Sequence, residues 1–147
     1  MATSTYPAAK AALVALLQNA AGLAGVEVSY GDPGIAKIEL EHVFLGGTGT
    51  DGQTWAPYGQ LKRDEQYTIE LFIHAAKPGQ SQQEATERAH ALFGVIESTI
   101  RPVARTATQI APGMYEISVA PKSVAEYVIE QGYACFIAAE ITCKARI

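Results

Sequence analysis

The chain has 147 residues, of which 48% are apolar, 18% charged and 8% aromatic, and its formal net charge is −4. This length and composition predict one globular domain that buries about 68–70% of its unfolded surface without a disulfide framework or a structural metal. The composition excludes a disordered tail, and the acidic balance argues against a protein that binds nucleic acid by neutralising phosphates.

The first predicted element is an α-helix over 7–22. Pro7 suits the first turn of a helix, and Leu13 and Leu17 follow the spacing of one buried face. Lys10 is the only ionisable residue in the segment. We therefore expect the helix to be covered on more than one side, which a contact with another subunit would achieve.

Two strands follow the helix, a short one over 26–30 and a longer one over 36–45. Alternation in the longer strand predicts that His42 and Phe44 lie on one face, while the opposite face carries charge. The acids of the charged face are Glu39 and Glu41. We interpret them as a solvated edge, with a charged partner or a lumen-facing surface as the alternative.

Residues 46–60 contain five glycines and one proline and follow neither the helix period nor the strand period. They predict a long Gly-rich loop or an irregular hairpin, and such a segment within a compact domain is usually functional or disordered. Its aromatic residues, Trp55 and Tyr58, either pack within the segment or anchor an interface. We expect Trp55→Ala, or deletion of 48–57, to leave the fold largely intact and to weaken assembly.

The same segment contains a G-x-G-x-x-G match at residues 47–52. In dinucleotide-binding proteins this motif opens a helix whose N-terminus holds a pyrophosphate, whereas residues 53–59 cannot form a regular helix. No Gly-rich loop is followed by Lys-Ser or Lys-Thr, so the P-loop motif is absent as well. We therefore predict no nucleotide site and no cofactor.

The clearest strand alternates over 67–74, and a helix over 82–100 follows it. The helix begins at a capping box, in which the side chains of Ser81 and Glu84 each satisfy a free backbone N–H. Pro102 is predicted to end it. Its buried stripe consists of Ala85, Ala89, Leu92, Phe93, Ile96 and Ile100.

Residues 101–112 are predicted to connect this helix to a strand over 115–119 that Pro121 interrupts, and a long strand over 133–146 closes the chain. The order α-β-β-loop-β-α-β-β predicts an α+β fold, in which an antiparallel or mixed β-sheet carries two α-helices packed on one face. We expect residues 1–147 to form a single domain.

The sequence offers no catalytic or metal-binding constellation. Cys135 and Cys143 share one face of the last strand but lie ~26 Å apart at ~3.3 Å per residue, which is too far for a disulfide. We interpret them as small buried hydrophobes, with a reactive or metal-binding thiol as the alternative. The histidines, His42, His74 and His90, lack metal-ligand spacing, and there is no G-x-S-x-G elbow. We therefore expect neither an enzyme nor a metal site.

Neither a signal peptide nor a membrane span is predicted. The first five residues lack a basic segment, and Lys10, Gln18 and Asn19 interrupt the apolar stretch over 8–24. The two cysteines fit a reducing compartment. We expect a protein that is assembled in the host cytoplasm and does not bind a membrane.

Basic residues occur in small separate groups. They are Lys62 and Arg63 before the central strand, Arg101 and Arg105 after the second helix, and Lys122 in the last hairpin. Such residues are either solvated or form ion pairs with a neighbouring subunit or partner. Together with Trp55 and Tyr58, they are our candidate interface residues.

Several features along the chain resemble one known family. They are the alanine-rich first helix, His-Val-Phe-Leu-Gly at 42–46 before the glycine segment, Arg-Asp-Glu-Gln-Tyr-Thr-Ile at 63–69, Glu-Arg-Ala at 87–89, and the closing Ala-Arg-Ile at 145–147. With these features the chain resembles the tail terminator, or tail completion, proteins of long-tailed bacteriophages, especially those of actinobacterial phages.

The resemblance implies a structural virion protein, and the family has no catalytic residues that could be assigned to this chain. Such a subunit forms a homohexameric ring at the head-proximal end of the tail, caps the tail tube and stops its polymerisation. Its implied partners are further copies of itself, the tail tube protein and the head–tail connector or stopper protein. DNA would pass through the lumen without specific binding, which the net charge of −4 favours.

Two other classes stay open at this point. Another head–tail joining protein, such as an adaptor or stopper, or a tail tube subunit would combine a sheet and helices in the same way. A small-ligand binding domain or an enzyme of the same α+β class is the more distant alternative. The assembly state and the position in the virion distinguish these classes.

Overall fold

The computed structural model describes residues 4–31, 41–46, 51–55, 63–76, 79–129 and 132–147. The helices are α1 (Tyr6–Gln18) and α2 (Gln82–Val103), and short 3₁₀ helices follow them at Ala21–Leu23 and Ala104–Gln109. The strands are β1 (Glu27–Ser29), β2 (Glu41–Leu45), β3 (Asp51–Trp55), β4 (Arg63–Ala76), β5 (Met114–Ile129) and β6 (Gly132–Arg146).

The strands form one mixed sheet in which β4 is central. The order along the sheet is β1-β2-β4-β6-β5, and β3 pairs with β4 as well. β1 and β2 are parallel, whereas the other pairs are antiparallel. β2 and β3 pair with opposite halves of one edge of β4, and β6 pairs with the other edge. β5 therefore lies at the opposite side of the sheet from β1.

Both helices pack on one face of this sheet. In β4, every second side chain from Tyr67 to Ile73 is fully buried, and Leu13 of α1 and Leu92 of α2 belong to the same core cluster. The predicted stripe of α2 is buried except for Phe93, which is partly buried. The prediction of an α+β fold with two helices on one face is confirmed. We call the side of the sheet that faces away from α1 and α2 the open face.

The first helix ends earlier than predicted, at Gln18 instead of residue 22. The side-chain amide of Gln18 donates to the carbonyl of Val28 at 3.0 Å, and the amide of Asn19 donates to the carbonyl of Ala15 at 2.9 Å. Such side chains compete with the helical backbone for hydrogen bonds and favour helix ends. Gly25, at φ +81°, then turns the chain toward β1.

The interpretation of Glu41 as part of a solvated edge is wrong, because its side chain faces α2. The carboxylate of Glu41 accepts two hydrogen bonds from Arg88, both at 3.0 Å. Val43 and Leu45, which share that face of β2, are fully buried beneath the helices. Phe44 is half-buried on the open face. Three consecutive apolar residues allow either face to be the core, so alternation alone did not identify it. Glu39 lies outside the described residues.

The Gly-rich segment 46–60 contains a strand at its centre. Residues 51–55 form β3, which pairs with residues 63–67 of β4. Of the two predicted alternatives, a loop or an irregular hairpin, the hairpin therefore describes residues 51–55. Residues 47–50 and 56–60 lie outside the described part of the chain. Deletion of 48–57 would remove a strand of the sheet, and Trp55→Ala is therefore the cleaner test of the segment.

The last hairpin is longer than predicted, because β5 continues past Pro121 to Ile129. A change of register between Pro121 and Ser123 accommodates the proline. An edge strand tolerates proline, since a missing N–H costs no ladder bond on its outer side. In α2, Pro102 lies within the last turn, and the helix ends at Val103.

Candidate assembly surfaces

A buried carboxylate joins the start of α1 to β4. The side chain of Glu65 is 1% exposed and accepts hydrogen bonds from the backbone N–H and the hydroxyl of Thr5, at 2.8 and 2.7 Å. Gln53 of β3 donates to its other oxygen at 3.2 Å. Thr5 immediately precedes α1, whose own first turn has no acid. Glu65 therefore places negative charge at the positive end of that helix dipole.

The environment of Glu65 keeps it ionised. Burial by itself would raise the pKa of its carboxyl, but hydrogen bonds from Ser4, Thr5 and Gln53 stabilise the charged form and the pKa is lowered overall. The hydroxyl of Tyr67 lies 2.9 Å from that of Thr5, and burial raises the pKa of Tyr67. A carboxylate whose oxygens already accept several hydrogen bonds stabilises the fold and is poorly suited to proton transfer.

Charged residues of the open face pair with one another. The ammonium group of Lys122 lies 3.3 Å from carboxylate oxygens of both Glu70 and Glu140. Hydrogen bonds to these two acids raise the pKa of Lys122. Two further pairs are Lys144–Glu116 at 2.9 Å and Arg146–Asp64 at 2.7 Å. The charge of Lys122, a predicted interface residue, is thus already neutralised within the subunit.

An aromatic row occupies another part of the open face. Phe72 lies between Phe44, with ring centroids 4.9 Å apart, and Phe136, at 5.5 Å. The ring of His74 lies 6.0 Å from that of Tyr127 on β5. The three phenylalanines are half-buried. The open face is therefore partly apolar and partly charged.

A groove of about 470 Å³ lies between β3 and the start of β5. Its charged side chains are Asp64, Glu65 and Lys144, and each already has a hydrogen-bond or ion-pair partner. A pocket of this kind offers little to a charged ligand, because a ligand would have to displace these internal contacts.

The predicted interface residues that the structure describes belong to several different elements. Trp55 and Arg63 are register partners on β3 and β4, and the N–H of Arg63 donates to the carbonyl of Ile147 at 2.7 Å. Arg101 is exposed at the end of α2 and lies 3.5 Å from Glu97. Arg105 belongs to the following 3₁₀ helix. Lys122 lies on the open face, whereas Tyr58 and Lys62 fall outside the described residues.

The distal part of the last hairpin exposes bulky apolar side chains. Val124, Val128 and Tyr133 are 49%, 71% and 44% exposed. Val124 is paired with the core residue Ile137, and Val128 is paired with Tyr133, so the three lie on the helix-side face. We call these three residues the hairpin patch. Sequence analysis missed it, because Pro121 was expected to interrupt the strand.

The outward side of α1 is uncharged, whereas the exposed Glu126 lies between Val124 and Val128 on the face of the hairpin patch. Pro7, Ala8, Ala11 and Ala15 are exposed, and we call them the α1 platform. Lys10, the helix's only lysine, is 8% exposed, and its ammonium group lies 4.0 Å from the centre of the Tyr30 ring. Burial lowers the pKa of Lys10. A lysine normally extends into water, so α1 has turned its one cation away from its outer surface.

The cysteines are free and buried, as interpreted from the sequence. Burial raises the pKa of Cys135, and it raises that of Cys143 to about 12. Among the described residues, no group of three or more His, Cys, Asp or Glu side chains could hold a metal ion. In the same part of the chain, no helix combines the length and the apolar character needed to cross a membrane.

Comparison with solved structures gives a likeness in fold. No protein-family model matches the chain, and no curated protein matches it. Among solved structures, the chain is similar to a chain of the virion of a native gene transfer agent (GTA) particle, with a TM-score of 0.59 and 10% identity. The likeness covers 99% of this chain and 100% of that chain. At this identity, the likeness shows that the two chains share a fold.

Proposed function

We propose that this chain is a structural protein of a phage-like virion and that it acts there as the tail terminator. The observation that carries the proposal is the fold shared, over the full length of both chains, with a chain of the GTA virion. The sequence features that resemble tail terminators support the more specific assignment as a tail terminator. A protein of this kind works through its surfaces, and the surfaces described above are its functional parts.

The proposed assembly is a homohexameric ring at the head-proximal end of the tail. The ring caps the tail tube, stops its polymerisation and presents its other side to the head–tail connector or stopper protein. A closed ring requires two different surfaces on opposite sides of each subunit. Exposed apolar side chains, such as those of the hairpin patch and the α1 platform, are suited to such contacts.

DNA passes through the lumen of the proposed ring without specific binding. The net charge of −4 supports this role, because an acidic protein does not attract phosphate groups. The ion pairs of Lys122, Lys144 and Arg146 add to the argument, since they leave these cations occupied by carboxylates.

Contacts with the tube and with neighbouring subunits remain assigned to the residues predicted from the sequence: Trp55, Tyr58, Lys62, Arg63, Arg101, Arg105 and Lys122. The edge of β3, which contains Trp55, is the most direct of these to test. Trp55→Ala is expected to leave the folded subunit intact, as judged by circular dichroism, and to reduce its assembly. Loss of the folded subunit would instead identify Trp55 as a core residue.

Native mass spectrometry of the purified chain, alone and after mixing with tail tubes of the same virus, tests the proposal. We expect a species of six times the 15.6 kDa chain mass in at least one of these conditions. A chain that stays monomeric in both and does not bind tubes would overturn the terminator assignment. Assembly into long tubes by the chain itself would identify a tail tube subunit instead.

A further inference from the structure

The hairpin patch flanks an acidic side chain. Val128 is 71% exposed, and Tyr133 lies directly across from it on β6. Glu126 is exposed between Val124 and Val128, and it lies on the same face because its register partner is the buried Cys135. A surface that places one carboxylate among bulky apolar groups favours a partner that offers a base beside apolar side chains.

The described residues leave Glu126 without an ion-pair partner. The base that precedes it on β5, Lys122, lies 3.3 Å from both Glu70 and Glu140 on the open face. Within the described part of the chain, none of the ion pairs includes Glu126. A base of another molecule can therefore pair with Glu126 without displacing an internal ion pair.

A small cleft at the other end of α2 has the complementary apolar character. It measures about 160 Å³ and lies between the last turns of α2 and the first half of β5. We call it the α2 cleft, and its lining residues are Glu97, Ile100, Arg101, Ser118 and Val119. Since one water takes up about 30 Å³ in the liquid, the cleft has room for an aliphatic side chain such as that of Val128.

The α2 cleft also carries a base that can accept a second acid. The side chain of Arg101 is 78% exposed, and its contact with Glu97 is long, at 3.5 Å. A guanidinium group has five N–H donors, so Arg101 can bind another carboxylate without releasing Glu97. Residues 97–112 contain one acid and two bases, whereas residues 123–133 contain two acids and no base. The two ends of this side of the subunit therefore have opposite charge.

The hairpin patch and the α2 cleft lie too far apart to meet within one subunit. The side chain of Gln82, at the start of α2, donates to the carbonyl of Ala134 at 3.1 Å, so this helix begins beside the distal hairpin. Arg101 lies ~28 Å further along α2, at ~1.5 Å per residue. On β5, Val119 and Val128 are ~30 Å apart, at ~3.3 Å per residue. Surfaces at opposite ends of a subunit can meet between successive copies placed head to tail.

From this arrangement we infer that the hairpin patch of one copy docks in the α2 cleft of the next copy, where Glu126 pairs with Arg101 and Val128 enters the cleft. The inference rests on the proposed function, because it names the contact by which the proposed ring closes. Its occupant is a second copy of this chain, since the two surfaces match in charge and in apolar character. Binding of the tail tube protein at the same patch is the alternative that the experiment separates.

Reversal of either charge tests the pair. Glu126→Arg and Arg101→Glu are each expected to lower the yield of the ring by about tenfold or more, because each brings like charges together in every contact of the ring. The loss should become smaller in about 1 M salt, where charges are screened beyond about 3 Å. The matched control is Glu87→Arg, which makes the same change of charge at an exposed acid of α2. It should assemble as the unmodified chain does.

Mixing the two variants gives the sharpest readout. The reversed patch of Glu126→Arg fits the reversed cleft of Arg101→Glu, and the unmodified patch of the second variant fits the unmodified cleft of the first. An equimolar mixture should therefore form rings with equal numbers of both variants in native mass spectrometry, although neither variant assembles alone. A chain that carries both substitutions should assemble by itself. Circular dichroism should show that each variant keeps the folded subunit, because both residues are exposed.

The apolar part of the contact has its own test. Val128→Ser removes the aliphatic side chain without a change of charge and should also lower the yield of the ring, because less apolar surface is buried. Mixing it with Arg101→Glu should give heterodimers and no rings, since only one of the two contacts between these variants is intact.

Four results would overturn the inference. Normal rings from either charge-reversed variant alone would show that the contact lies elsewhere and would leave the proposed function intact. Two variants that fail alone and are not rescued by mixing would show that Glu126 and Arg101 do not face each other across the contact. Normal rings of Glu126→Arg that no longer bind tail tubes would assign the patch to the tube. An unmodified chain that stays monomeric both alone and with tubes would overturn the proposed function and the inference with it.

Discussion

Replacement of Gly113 by alanine is expected to lower the free energy of unfolding by about 2–5 kcal/mol. Gly113 has φ +84°, and its carbonyl accepts a hydrogen bond from the N–H of Arg146 at 2.9 Å. A Cβ at this position would overlap the carbonyl oxygen of Arg146 and lie 3.2 Å from its carbonyl carbon. Because backbone cannot rotate aside, the start of β5 must move away from the end of β6.

Gly25→Ala is the matched control. Gly25 has φ +81°, nearly the same backbone conformation, but among the described residues other than its chain neighbours no atom lies within 4 Å of the added Cβ. This variant should lose only about 1–2 kcal/mol, the cost of the left-handed conformation for an L-residue. Urea unfolding of both variants measures the difference. Equal losses would show that the close approach of Gly113 to Arg146 does not constrain the sheet.

Replacement of Glu65 by glutamine is expected to cost about 1–3 kcal/mol near neutral pH, because hydrogen bonds to a charged group are replaced by weaker ones. The loss should depend on pH in a specific direction. The pKa of Glu65 in the folded protein lies below its ordinary value of 4.5, so between these two values the unfolded chain binds more protons than the folded chain. The stabilisation is therefore complete above pH 4.5 and is lost as the pH falls through the folded pKa.

The difference in unfolding free energy between the unmodified chain and Glu65→Gln should accordingly shrink as the solution is acidified below pH 4.5. Asp64→Asn is the control at the adjacent position. The pKa of Asp64 is lowered as well, first by its hydrogen bond from Arg146. Asp64 is partly exposed, however, and salt screens its ion pair with Arg146. A Glu65→Gln deficit that is constant with pH, or that grows in acid, would contradict the assigned role.

The elements that could be predicted from the sequence are those in which one face is apolar and the other is not. β4 alternates cleanly from Tyr67 to Ile73, and α2 begins directly after Ser81, whose hydroxyl accepts a hydrogen bond from the N–H of Glu84 at 3.2 Å. Local patterns of this kind specify both the element and the buried face. The number of helices, their common face and the order of the elements follow from them.

Other features depend on contacts between distant segments. Val-Phe-Leu in β2 is apolar on both faces, and only the packing of α2 decides that Glu41 pairs with Arg88. β3 forms from Gly-rich sequence because β4 offers it an unpaired edge. The buried position of Glu65 could have been recognised, since it continues the alternation of Tyr67 and Ile69. The exposure of the hairpin patch could not have been recognised from the sequence, because it depends on how far the helices extend over the sheet.

Electron microscopy of tails assembled with and without this protein tests the central claim most directly. If the chain is the tail terminator, its absence should yield tubes that are longer than normal and lack heads, and adding the protein back should restore a defined length. Tails of normal length that lack heads would indicate an adaptor or stopper. Tails of normal length joined to heads would contradict the account.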